Sequence, residues 1–434
     1  MKITSKVRSS FVNDNPSLGL FSLGTSYFLY SFMQYLLMPI CWWLSQHIDS
    51  LAWMNDVFYY FESANLDPFS MKSFGYSLIG IAAFFVGYRY LPARKFRFKN
   101  KVLARKWEPE RAEQVFWLFF LCGLALKALK VFAGVAIEDV VAENIKHSYF
   151  TNPLIVFYLS FNWFNLIALI VINVAYQEAR KANHLIAKRL KITACIYSLF
   201  FILISLTTGG KSATFMPLFG LLIVRQYYSI VRVSLLKYVF FLVLLIGMVF
   251  AIKLSLASYF ESGGSSQVES LGLRFALFYI LFFRVNLSYV LLAVIERGQQ
   301  AFPEGTLSQF WVEMTPYGLD KINIFDGNEF GRAIGVAPSW DHLTGIASTN
   351  MGDWFINYGL WGIVFGMFVT GIVYKCFLSN CQQRLPLFVM LYALMWPILI
   401  HGMESPVSVL FATSIKMISL CIIVHIAITK KFSS

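Results

Sequence analysis

Charge is scarce in this chain. Of its 434 residues only 14% are Asp, Glu, Lys or Arg, against about 25% in soluble domains. With 58% hydrophobic residues and a mean hydropathy of +0.62, that scarcity excludes a soluble globular protein and puts the chain in lipid. Cysteine is scarce too. Cys41, Cys122, Cys195, Cys376, Cys381 and Cys421 are all there are, and no pair is spaced with a histidine as zinc requires or implies a disulfide framework. Also missing are a serine-triad pattern, an HExxH helix and, in the long polar stretch below, a DxD-like signature. These gaps argue against a soluble-type nucleotide-sugar donor, and no metal or cofactor is expected. A cleavable leader is not evident either. Lys2, Lys6 and Arg8 precede a block of full spanning length without a small-residue cleavage site, so the first block reads as a retained anchor.

What the chain does have is long apolar runs. They lie roughly at 18–45, 73–91, 114–135, 153–175, 192–208, 212–230, 237–258, 274–295, 354–376, 386–402 and 406–429, each near the ~20 residues that a span needs. The connections between them alternate in charge. Arg94, Lys95, Arg97, Lys99, Lys101, Arg105, Lys106 and Arg111 follow the second run, and Arg180, Lys181, Lys188, Arg189 and Lys191 follow the fourth. Arg225, Arg232 and Lys237, then Lys375 and Arg384, then Lys430 and Lys431 continue the series. All of these read as cytoplasmic, together with both termini. The net charge of +13 is thereby explained by membrane sidedness, and no nucleic acid is needed to account for it. Segments 47–72 and 136–152 are acidic and belong on the other side.

Eleven runs cannot leave both termini inside. The eighth carries Arg274 at its start and Arg284 in its middle, an expensive burial in lipid. It is therefore expected on the outer side, re-entrant or leaning into the bundle, with Arg284 facing a polar cavity. About ten or eleven transmembrane helices result. The expected fold is all-α, a polytopic transmembrane helical bundle forming one integral membrane domain over 1–434.

The exception to this pattern is Glu296–Asp353, a long loop that is neither apolar nor basic. It holds eight carboxylates, Arg297, Lys321 and Arg332, His342, Trp311 and Trp340. Loops of such length are functional or disordered, and the interleaved aromatics argue for function. Asp341 beside His342 supplies base candidates, while Trp311 and Trp340 offer flat apolar faces for sugar rings. For any one acid, a plain surface role competes with these. At 207–214, TTGGKSAT interrupts an apolar run and offers Lys211 as an anion cradle at a helix start. It lacks the Walker spacing, and a tight turn with a snorkelling lysine is the alternative. Lys253, Lys127, Lys130 and Lys416 are further cations within apolar runs.

The segment TGIASTNMGDWFINYGLWGIVFGMFVTG, 344–371, resembles the junction between the large outer loop and the next span in bacterial O-antigen polymerases, the Wzy family. Ser348, Thr349, Gly352, Asp353, Asn357, Tyr358, Gly359 and Gly362 carry the likeness. Upstream, the GGK turn, the Arg284 helix, Gly305-Thr306 and Thr315-Pro316 fall in similar order, so the resemblance covers about 200–371. The related ligases usually show His-Asn near the junction, where this chain has Thr349-Asn350. Lys211 stands where many relatives have Arg, which loses a bidentate fork, and Asp353 where many have Glu. The resemblance implies a metal-independent glycosyltransferase of the bacterial inner membrane with its site in a large periplasmic loop, 296–353. Its substrates would be undecaprenyl-pyrophosphate-linked oligosaccharides held among membrane lipids, with a chain-length regulator as a further partner. Arg284, Arg332, Lys211 and Arg274 would hold the leaving pyrophosphate. Asp353, Asp341 and His342 would serve as base or orienting acceptor, and Trp340, Trp311 and Asn357 would meet sugar. The alternatives are an O-antigen ligase and a transporter or flippase of the same lipid-linked unit. A transporter should show internal repeats, and none is visible.

Overall fold

The computed structural model describes residues 21–54, 70–90, 105–132, 163–207, 211–228, 287–314, 329–336, 348–382 and 385–429. Among the described residues all regular structure is helical. Helix α1 runs over Leu23–Ser31, continues through the π-wound Phe32–Leu37 and ends as Met38–His47. Then come α2 (Met71–Tyr90), α3 (Pro109–Phe132), α4 (Phe164–Lys181), α5 (Ala187–Thr207) and α6 (Lys211–Tyr228). Helix α7 starts as Leu287–Ala293 and continues through a π turn, Val294–Gly298, to Ala301. Two short helices, α8 (Gln309–Met314) and α9 (Glu329–Ala333), precede α10 (Asn350–Cys381), α11 (Pro386–His401) and α12 (Val407–Thr429).

Three of the described helices are long and apolar enough to cross a membrane: α2 over Met71–Arg89, α10 and α12. Helix α11 shows why apolarity alone does not make a lipid-facing span. It is apolar on every face, and such helices are interior ones. Its residues from Pro386 through Leu399 are all buried, against α1, α4, α6, α10 and α12. Its 16 residues reach only about 24 Å at 1.5 Å per residue. It is the central post of the bundle. Helix α4 contributes a second buried surface, with Leu166 through Ile172 all inside.

The closest helix pair is α2 with α10, and glycine explains it. A Cβ on Gly87 would lie 2.0 Å from the Phe368 carbonyl oxygen, and one on Gly371 would lie 2.1 Å from that of Phe84. The two backbones touch directly, in parallel, as small-residue crossings permit. Beside the crossing, the Phe84 ring stacks on Tyr27 with centroids 3.6 Å apart and meets Tyr374 edge-on at 5.5 Å. The Tyr374 hydroxyl donates to the Leu399 carbonyl at 2.6 Å, tying the crossing to the central post.

The bundle has two chemically distinct ends. At one, Arg189 pairs with Glu113, the Lys181 ammonium sits over the Tyr228 ring and Lys375 over Tyr88. Trp107 donates to His425 and Tyr227 to the Cys381 carbonyl at this same end. At the other end lie the start of α2, the end of α7, the start of α10 and the α11–α12 turn. There Lys72 pairs with Glu296 at 2.7 Å. The described half of the eighth apolar run, α7, packs at this second end against α2, the π segment of α1 and α10. Its expected re-entrant start, with Arg274 and Arg284, lies outside the described residues, as does the run at 237–258.

Substituting Gly371→Ala is expected to force α2 and α10 apart and lower stability by about 1–3 kcal/mol, the usual range for overpacking. Gly75→Ala is the control, because a Cβ there meets nothing within 4 Å. Thermal unfolding of the detergent-solubilised protein checks this. Equal melting temperatures for the two variants would contradict the direct backbone contact.

Candidate functional site

The start of α10 is built by an unusual backbone. Thr349, its N-cap, has φ 62° and ψ 162°, a conformation rare for a β-branched residue that costs about 1–3 kcal/mol. Its hydroxyl accepts from the Gly352 N–H at 3.0 Å, closing the first turn. Ser348, Thr349, Asn350 and Asp353 are all buried.

Asp353 stands at the centre. Its Oδ1 accepts from the Thr306 hydroxyl and, at 3.4 Å, from the Ser348 hydroxyl. Its Oδ2 accepts the Val407 N–H at 2.8 Å, and the Ser408 N–H also donates to the carboxylate. Those two amides open α12, so a carboxylate on one helix caps another. The cap also places negative charge at the positive end of the α12 dipole. Four donors compensate the burial of the carboxylate. With no exposure and both oxygens engaged, Asp353 is an acceptor that fixes the site.

Asn357, one turn on, does the same for the loop before α8. Its Oδ1 accepts from the Thr306 and Leu307 N–H groups at 3.0 and 3.4 Å. Its Nδ2 donates to the Thr306 hydroxyl at 2.9 Å and to the Asp353 carbonyl at 2.7 Å. Gly305 makes this approach possible: it has φ 74°, and a Cβ there would lie 2.2 Å from Asn357 Oδ1. The Asn357 amide, expected at sugar, has both its oxygen and its nitrogen engaged within the protein.

Helix α10 then breaks at Gly359, with φ 61° and ψ −149°, a conformation open essentially to glycine alone. The segment before the break lies back over the segment after it. A Cβ on Gly362 would meet the Trp354 carbonyl oxygen at 2.0 Å, and one on Gly366 the Trp354 ring at 2.2 Å. Residues 350–358, which carry Asn350, Asp353 and Asn357, thus form a separate short element seated on the apolar helix that follows.

The α11–α12 turn completes the site. The Asn350 N–H donates to the Met403 carbonyl at 3.1 Å, and Asp353 holds the far side of the turn at Val407. Between these two clamps sits Glu404, its Oε2 3.7 Å from His401 Nε2. Burial pushes the Glu404 carboxyl up to about 7. Next to the clamps, both amide atoms of Asn350 and the Ser408 hydroxyl are buried without a hydrogen-bond partner among the described residues. The Tyr35 hydroxyl, from the π segment of α1, lies beside Thr349 without completing a hydrogen bond. Orphaned polar atoms of this kind cost about 1–3 kcal/mol each, and π turns gather at functional sites.

No protein-family model, no curated protein and no solved structure matches this chain. The site is therefore argued from its own geometry.

The remaining sequence candidates fall in three groups. Asp341, His342, Trp340, Arg274 and Arg284 lie outside the described residues. Lys211 is the first residue of α6, just after the α5 end at Thr207, which is the helix start the GGK turn leads into. Trp311 is 68% exposed on α8, a short helix held along α12 by the Lys416 ammonium donating to the Glu313 carbonyl. Arg332 is exposed on α9. One of the glycines beside it ends the helix. Gly335, at φ 71°, ends α9 in a Schellman motif, with Val336 N–H bonding Gly331 O and Gly335 N–H bonding Arg332 O. Arg297, not singled out from sequence, donates to the Ile334 carbonyl at 3.2 Å and steadies that helix end. Glu404, His401, Asn350 and Tyr35 were also missed. The available signal was HGMESP at 401–406, a His–Glu pair at the mouth of two apolar runs, where ionisable residues are functional by default.

Removing the Asp353 carboxylate strands four donors. Asp353→Ala is expected to lower unfolding stability by on the order of 3 kcal/mol, and Asp353→Asn, which keeps one acceptor, by less. Thermal unfolding in detergent should rank wild type above Asn above Ala; a neutral Asp353→Ala would refute the cap. Glu404 predicts a pH effect with a definite sign. Its folded-state carboxyl titrates at about 7, above the ordinary 4.5, so its protonated form is favoured by folding. Its contribution to stability is present below about 4.5, falls as pH rises towards about 7 and is flat above. Glu404→Gln should remove that decline from a melting-temperature series across pH 4–8.

Proposed function

We propose that this protein is an integral membrane glycosyltransferase that polymerises undecaprenyl-pyrophosphate-linked oligosaccharide repeat units at the periplasmic face of the bacterial inner membrane. The observation that carries the reading is the joining of Thr306, Ser348, Thr349, Gly352, Asp353 and Asn357 in one hydrogen-bonded network, with Gly305 packed against Asn357. They are the same residues that carry the resemblance to O-antigen polymerases, and about fifty positions separate the two groups they form along the chain.

In this reading the bundle stands in the membrane with its basic end in the cytoplasm, where both termini lie, and its acidic end outside. The network holds the loop residues over the mouth of the bundle. The anomeric carbon of the donor chain, carried as a pyrophosphate ester, is attacked by a sugar hydroxyl of an incoming lipid-linked unit. Pyrophosphate is already a good leaving group, so the main requirement is cations aimed at its developing charge. Arg284, Arg332, Lys211 and Arg274 are the proposed cations, and the flat faces of Trp311 and Trp340 the proposed sugar platforms. A chain-length regulator is a proposed partner.

The test is complementation of a gene deletion, read as surface polysaccharide on a gel. The deletion is expected to leave a single repeat on the lipid core with no ladder, and wild type to restore the ladder. Thr306→Val and Arg284→Ala, expressed at wild-type level, are expected to lose it. A polymer that accumulates on its lipid carrier with nothing on the core would mean a ligase instead. Unpolymerised units trapped at the cytoplasmic face would mean a flippase.

A further inference from the structure

The reaction proposed above needs a proton acceptor, and the buried network does not supply one. Asp353 has its oxygens on four donors and no path to solvent. An acceptor for a substrate hydroxyl must be reachable, ionisable near neutral pH and held still. Among the described residues at the acidic end of the bundle, Glu404 meets these conditions. Its side chain is 15% exposed and that of His401 39%, so the pair is partly open to solvent while its turn is anchored to α10. The anchors are two hydrogen bonds from α10, Asn350 N–H to the Met403 carbonyl and Val407 N–H to Asp353. They fall on the residues immediately before and three after Glu404. The backbone adds a third hold, with Glu404 N–H bonding the His401 carbonyl at 2.9 Å.

We infer that Glu404 is the proton acceptor for the attacking sugar hydroxyl, that His401 passes the proton to solvent, and that Asp353 is a positioning residue that clamps their turn. The inference rests on the glycosyltransferase reading above. The step balances. The hydroxyl oxygen forms a bond to the anomeric carbon as its proton moves to the Glu404 carboxylate. The bond from that carbon to the pyrophosphate oxygen breaks, and the electron pair leaves with the lipid pyrophosphate. At 3.7 Å the partly exposed His401 ring is too far for a direct hydrogen bond, so it takes the proton through one intervening water and releases it to solvent. Among the described residues His401 is the titratable side chain within ion-pair distance of Glu404. Asp353 reaches the same turn only through Val407. Burial, which favours the neutral carboxyl, places the acceptor's titration close to working pH.

The experiment uses the full-length protein in detergent or liposomes with lipid-linked repeat units, measuring bond formation between pH 5.5 and 8.5. Wild type is expected to gain rate on an acid limb with a midpoint near 7, the value to which burial pushes Glu404. Glu404→Gln, similar in shape, is expected to lose at least 100-fold in kcat and the acid limb, with KM little changed. Glu404→Asp should recover part of the rate. Asp353→Asn should lower the rate while keeping the limb, as expected for a residue acting through another. A Glu404→Gln protein that melts like wild type at pH 8 and polymerises at full rate would overturn the inference and shift the acceptor to Asp341 or His342. A wild-type protein that forms no glycosidic bond, from a gene whose deletion leaves the ladder intact, would instead sink the glycosyltransferase reading.

Discussion

Everything at the acidic end of the bundle depends on one buried carboxylate and the helix it caps. Asp353 sits in the first turns of α10, yet its hydrogen bonds go to the start of α12 and to a threonine in the loop after α7. A charge placed this deep is tolerable only when its donors are complete, so three segments distant in sequence are obliged to meet. The α11–α12 turn is held by the same means. The strained backbone of Thr349 and the glycine-only geometry of Gly359 are local costs that persist because this network over-determines them.

Beneath the network, the supporting scaffold follows from the absence of side chains. The crossing of α2 and α10 exists because Gly87 and Gly371 let carbonyl oxygens stand where a Cβ would otherwise be. Trp354 can lie back over α10 only because Gly362 and Gly366 leave room for it. In an apolar surround there is little hydrophobic gain in pairing helices, and close van der Waals contact carries the association. The result is a rigid floor, with α11 as its buried post, that holds polar residues at one end without flexible linkers among the described segments.

Part of this was open to reading from the residues alone. The apolar runs located the long helices, and the break at TTGGKSAT marked where α6 begins. The resemblance singled out Gly305, Thr306, Ser348, Thr349, Asp353 and Asn357, and these residues do come together. Their individual jobs were not legible. Asn357 was expected at sugar and has both amide atoms engaged within the protein; Asp353 was read as base or acceptor, and its geometry is that of an acceptor. Gly335, beside Arg332, serves a helix end. In each case residue type fixed what a side chain is able to bond, while its partner came from a segment remote in sequence.

What the sequence determined by itself was class: scarcity of charge and long apolar runs commit the chain to helices in an apolar medium. What only the tertiary structure decided was which polar group is saturated and which is reachable. Asp353 and Glu404 are both acids at the mouth of apolar helices. The first is surrounded by N–H and O–H donors from three segments; the second keeps a partly exposed side chain beside His401. Burial and hydrogen-bond completion are properties of neighbours across the fold, and no local pattern encodes them.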